Sequence, residues 1–85
     1  METQITRTQT GVRLEARSLK VLKALAEYLD LSLSDLLEGM IWHAFDGKRP
    51  FSEETLFKIN QLKQVYGLDL TATDSHKLTE KPADV

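Results

Sequence analysis

Two imidazoles, His43 and His76, are the only histidines available for metal binding or proton transfer. No Asp or Glu gathers around either at metal-ligand spacing. There is no Cys, so thiolate sites, a Cys nucleophile and disulfides are excluded. Asp74-Ser75-His76 sets the three residue types of a hydrolytic triad side by side. A triad, however, is a spatial arrangement, and adjacency along the chain does not create it. Glu53-Glu54, directly after Ser52, fits the acidic first turn of a helix better than an acid/base pair, which needs a cleft. His43, beside an apolar stripe, reads as structural or merely exposed. The four glycines are scattered and form no phosphate-cradling loop. The expectation is a protein that is not an enzyme and holds no metal and no cofactor.

Charge is the second source of chemistry. The 85 residues carry 11 Lys and Arg against 13 Asp and Glu. Residues 1–23 hold five basic side chains against two acidic, a net +3. Residues 24–50 reverse this to −3, and residues 51–85 add −2. A two-fold dimer would double the basic end to about +6, enough for a local patch that attracts polyanions. The bland alternative is an ordinary solvated surface.

The elements that position these groups follow from spacing. Residues 1–6 are polar and read as a flexible arm. Residues 7–14 are rich in β-branched residues and read as one short strand. With period two, Thr8, Thr10, Val12 and Leu14 share one face, and Arg7, Gln9, Gly11 and Arg13 the other. Leu19, Leu22, Leu25, Ala26 and Leu29 recur at helical spacing and predict a helix over 16–30. Ser32 with Asp35 three residues on predicts a capping box. A second helix over 33–45 follows, with Leu33, Leu36, Leu37, Met40, Ile41, Ala44 and Phe45 on its stripe. Gly47 and Pro50 stop it. Ser52 predicts the cap of a third helix over 53–66, ended by Gly67. Residues 68–85 read as an irregular or disordered tail. No apolar run is long enough for a membrane span or a signal-peptide core, and a cytoplasmic location is expected. A chain this small, with no disulfide or metal, gains most from dimerisation. One strand alone also needs a partner strand, most simply from a second copy.

Val12-Arg13-Leu14, the helix bearing Leu19, Leu22, Leu25 and Ala26, and then Ser32-Leu33-Ser34-Asp35-Leu36-Leu37 resemble the ribbon-helix-helix DNA-binding proteins. These are small dimeric prokaryotic and phage regulators of the Arc, MetJ and CopG groups. The resemblance spans about residues 7–46. It implies a mainly α fold with one short N-terminal β-strand, in an intertwined two-fold dimer. The strands would pair into an intermolecular antiparallel ribbon, with an extra C-terminal helix appended. In that family the ribbon lies in the DNA major groove and its outward side chains touch bases. The residues so implied are Gln9, Gly11 and Arg13, with Arg7 further out. Gln suits adenine and Arg suits guanine, both bidentately. Gly11 departs from the usual polar residue and offers only close backbone approach. The family also anchors a phosphate at the start of its second helix, here Ser32, Leu33 and Ser34. Where the family commonly has Gly or Asn before that turn, this chain has Asp30-Leu31, and an acid there is unhelpful to a phosphate. The dimer core so implied comprises Val12, Leu14, Leu22, Leu25, Leu36, Leu37, Met40 and Ile41.

The organisation expected is therefore a ribbon-helix-helix unit over 7–47, a third-helix extension over 48–67 and the tail. The function expected is sequence-specific binding of a double-stranded operator by a homodimer acting as a repressor. Pairs of dimers on adjacent sites are an option. The extension could enlarge the core, join neighbouring dimers, or, through residues 53–66, bind a toxin or other protein as antitoxins do. Trp42, off the main stripe, reads as dimer or third-helix packing rather than a ligand platform.

Overall fold

The computed structural model describes residues 3–81. Three helices of 13 residues each dominate it: α1 (Ala16–Tyr28), α2 (Leu33–Phe45) and α3 (Glu53–Val65). A 3₁₀ turn, Ala72–Asp74, follows in the C-terminal segment. Among the described residues there is no strand. This corrects the expected N-terminal β-strand and with it the two-stranded ribbon and the intertwined fold built on it. Residues 3–14 are irregular and exposed, and among the described residues their backbone bonds to no other backbone group. The physical reason is that β-branched composition favours a pleated surface without creating one. A strand exists through ladder bonds to a neighbour, and no other described segment of this chain is extended into a strand that could pair with it. Residues 1–2 of the expected flexible arm, and 82–85 of the expected tail, lie outside the described residues.

The helix starts are set by local side-chain chemistry. The hydroxyls of Ser32 and Ser52 accept the N–H of Asp35 at 3.1 Å and of Thr55 at 3.2 Å, each satisfying one orphan donor of a first turn. The reciprocal half of the capping box expected at Ser32 is not made; the Asp35 carboxylate accepts from Arg7. α1 is capped by Glu15, whose carboxylate accepts the N–H of Ser18 at 2.9 Å and of Arg17 at 3.2 Å.

All three helices end alike. After α1, Leu31 N–H returns to Ala26 C=O and Asp30 N–H to Glu27 C=O; Lys48 and Gly47 repeat this after α2, and Leu68 and Gly67 after α3. This is the Schellman arrangement, which requires a left-handed residue just beyond the helix. Gly47 and Gly67 supply it at φ 69° and 65°, and Asp30 supplies it at 57°. Glycine adopts that conformation freely, whereas Asp is strained there and also sets a negative charge at the negative end of a helix.

α1 packs against both α2 and α3. The core is Leu25, Ala26 and Leu36, with Leu22, Leu29, Met40, Phe51, Ile59 and Leu62 packed around it. Leu25 is only 2% exposed. Phe51, Ile59 and Leu62 make α3 and its approach part of the same core as the α1–α2 pair. Arg17 ties the ends of this arrangement together. Its Nη1 donates to Gly67 C=O at 2.8 Å and Asp69 Oδ1 at 3.1 Å, while Nε donates to Glu15 Oε2 at 3.1 Å. No helix among the described residues is long and apolar enough to cross a membrane.

Candidate nucleic-acid interface

Gln9, Gly11 and Arg13 are exposed on the irregular segment 3–14, hereafter the arm, and a side chain at Gly11 would meet open space. Arg7 is the arm's main tether to the helices. Its Nε donates to both oxygens of Glu38 at 3.2 and 3.1 Å, and its Nη2 donates to Glu38 Oε1 at 2.7 Å and Asp35 Oδ1 at 3.2 Å. The hydrogen bonds and then the charge of Glu38 raise the Arg7 guanidinium above its ordinary value against the opposing effect of burial, with the charge of Asp35 adding least. Reciprocally, Arg7 holds Glu38 below the usual carboxylate range. Arg13 forms an ion pair with Glu80 of the C-terminal segment.

The start of α2 lies beside the Arg7 cluster. Ser32 and Ser34 are exposed and Leu33 is half-buried. The Ser32 hydroxyl serves Asp35 N–H, so the amides of Leu33 and Ser34 are the first-turn donors left to face an anion. Asp35, in that same turn, carries the opposing charge, and Arg7, shared with Glu38, offsets part of it. The structure thus brings Arg7 to Asp35 and the α2 start, but ties Arg13 to a different segment, the C-terminal one. Sequence reasoning did not connect Arg7 with Glu38, since no local spacing signals a contact across 31 residues. Nor did it find Glu15 as a cap or the Arg17 clamp. Glu15-Ala16-Arg17-Ser18 at a helix start was the available signal for the first; the second has none.

Residues assigned to a dimer core divide into two groups. Leu25 and Leu36 are buried against one another's cluster within one chain, with Leu22 and Met40 packed on it. Leu37 is half-buried, whereas Val12, Leu14 and Ile41 are exposed. Ile41 continues into Trp42 and Phe45 along the outer side of α2, where Phe45 is 81% exposed. A helix that is apolar on two sides needs cover on both. The histidines take local roles: His43 Nδ1 meets Gly39 C=O at 2.7 Å within α2, and His76 occupies a turn at φ 67°. Asp74 accepts Thr71 N–H at 2.8 Å to cap the 3₁₀ turn. Comparison with protein-family models, with curated proteins and with solved structures finds no match.

Proposed function

We propose that this chain is a sequence-specific double-stranded DNA-binding protein that acts as a homodimeric transcriptional repressor. The observation that carries the reading is the arm: an exposed segment with no secondary structure of its own, bearing Arg7, Gln9 and Arg13, next to a Ser-capped helix start. Gln9 and Arg13 supply the bidentate donors and acceptors that distinguish adenine and guanine. The amides of Leu33 and Ser34, with the Ser32 and Ser34 hydroxyls, hold a backbone phosphate and set the register. The outer side of α2, with Ile41, Trp42 and Phe45, joins two copies, which doubles the basic arm. The reading keeps what the two helices contribute to the ribbon-helix-helix resemblance and requires no ribbon. A prokaryotic regulator of this kind works in the cytoplasm.

The net acidity of the chain argues for binding concentrated at the arm rather than spread over the surface. The test is selection from a random duplex DNA pool at two salt concentrations. Enrichment of a repeated motif, with affinity falling steeply as salt rises, supports the reading. Arg13→Ala and Gln9→Ala should then lose selectivity while remaining folded, at a cost of roughly 1–3 kcal/mol per base contact. No enrichment by the folded protein at either salt rejects it.

A second reading rests on α3, where Phe57 and Val65 are exposed. It makes the chain an interaction module, of antitoxin type, that binds a protein through this helix. Because Ile59 and Leu62 belong to the core, removing α3 would unfold the chain. Phe57→Ser with Val65→Ser is the cleaner probe. Loss of a co-purifying protein with DNA selection intact favours this reading.

A further inference from the structure

We infer that in the DNA-free protein the two arm arginines are held by the chain's own carboxylates, Arg7 by Asp35 and Glu38 of α2 and Arg13 by Glu80, so that the chain competes with DNA for its own reading side chains. The inference rests on the DNA-binding reading above.

The contacts of Arg7 occupy its Nε–Nη2 edge, a pair of donors that a nucleic acid would use. Three of its four N–H···O contacts go to the two oxygens of Glu38, and the fourth goes to Asp35. A carboxylate and a phosphate offer the guanidinium the same paired oxygens, and the O6/N7 edge of guanine offers a similar pair. Nε and Nη2 cannot serve both partners at once. Among the described residues Nη1 has no partner, so it is paired recognition through the Nε–Nη2 edge that requires Arg7 to leave α2.

Its departure has a second consequence. Asp35 lies in the first turn of α2, and Glu38 lies one turn further along. With Arg7 in place, one of their two negative charges is offset beside the amides of Leu33 and Ser34. Without it, two bare carboxylates face the phosphate that those amides would hold, and like charges repel across such distances. Base contact by Arg7 and phosphate contact at α2 thus oppose each other. Arg13 has a separate restraint, because its partner Glu80 lies in the C-terminal segment. Displacing that segment releases Arg13 without disturbing α2. Gln9, uncharged and exposed, carries no comparable restraint. The acidic remainder of the chain is, on this account, an internal substitute for the DNA backbone.

The pairs are solvent-exposed, so the restraint is modest and screened by salt. The test compares the affinity of the full chain for a random duplex DNA pool across five variants and the wild type at low salt, each first shown to keep its helices by circular dichroism. Asp35→Asn with Glu38→Gln should tighten binding by about two- to fivefold. Glu80→Gln should tighten it by a smaller factor. A charge-matched control, Glu27→Gln with Glu54→Gln, removes two carboxylates that touch neither arginine. It reports what lower acidity alone contributes. In an Arg7→Ala background the gain from the Asp35/Glu38 pair should shrink to the part that comes from removing charge beside the α2 start, since no held arginine remains to be released. A gain no larger than the control's, or one undiminished without Arg7, overturns the inference and leaves the DNA reading standing. No binding by any form, wild type included, overturns both.

Discussion

α1 and α2 have the same length and similar leucine spacing, yet one is finished by its own chain and the other is not. α1 buries Val21, Leu25 and Ala26 and shows solvent Lys20, Lys23 and Glu27. Its partners, α2 and α3, lie within the same chain. α2 buries Leu36 toward the core, but its outer side carries Ile41, Trp42 and Phe45 where α1 carries charges. The difference lies in what occupies the positions away from the core stripe. It teaches that an apolar stripe locates a helix, whereas the composition of the opposite side tells whether one chain is enough.

The largest effect should come from the finished side. Leu25→Ala removes the most enclosed leucine of a small core and should cost about 2–5 kcal/mol, read from urea unfolding. A loss of this size leaves little of the chain folded. If the loss is under about 1 kcal/mol, α1 is not the centre of the fold.

Next comes the unfinished side. Trp42→Gln with Phe45→Gln should leave the helical content of a single chain unchanged and lower self-association at least about tenfold in sedimentation equilibrium. Equal association by wild type and variant would assign the dimer contact elsewhere and remove the contrast between the two helices.

The turn between the helices sharpens the comparison at smaller scale. Asp30 holds the left-handed position that Gly47 and Gly67 hold after the other two helices. Asp30→Gly should raise stability by about 0.5 kcal/mol, through relief of backbone strain and of the charge at the α1 end. A loss instead would mean that the added freedom of the unfolded chain outweighs the strain.

The smallest effect concerns the start of α1, and it is present at neutral pH and lost in acid. Burial acts to raise the Glu15 carboxyl, but the N–H groups of Ser18 and Arg17, then the Arg17 guanidinium and the Ser18 hydroxyl, outweigh it and hold it at about 2. A carboxyl depressed in the folded state contributes stability that is complete above its unfolded value near 4.5 and is lost as pH falls toward about 2. Glu15→Gln should therefore reduce stability at neutral pH and flatten the acid limb between those values. An unchanged acid limb would show that Glu15 caps nothing.

Much of the helical framework was legible because its signals are local. Leucine spacing placed α1 and α2. Ser32 and Ser52 marked helix starts through side chains that reach only three residues along, and Gly47 and Gly67 marked ends through a single backbone angle. The strand was misread for the opposite reason. Thr8, Thr10 and Val12 have the right shapes, but pairing is a property of two segments, and this chain holds only one such segment. The Glu15 cap escaped because Glu is an uncommon capping residue. The candidate site was half legible. Arg7, Gln9 and Arg13 stood out by type, but the carboxylates that engage the arginines lie far along the chain, and composition carries no distances.

The Arg17 clamp bears on the order in which the molecule assembles. It joins residues 50 and 52 positions apart, and closing so long a loop costs more chain entropy than an exposed ion pair returns. The clamp therefore cannot begin folding and must form after α1 and α3 have met through Ile59 and Leu62. Interactions made that late are absent from the transition state. Losing them speeds unfolding and leaves the folding rate almost untouched. Arg17 accordingly acts as a latch on the finished fold: it sets how long the native state lasts, and the leucines of α1 decide how quickly it is reached.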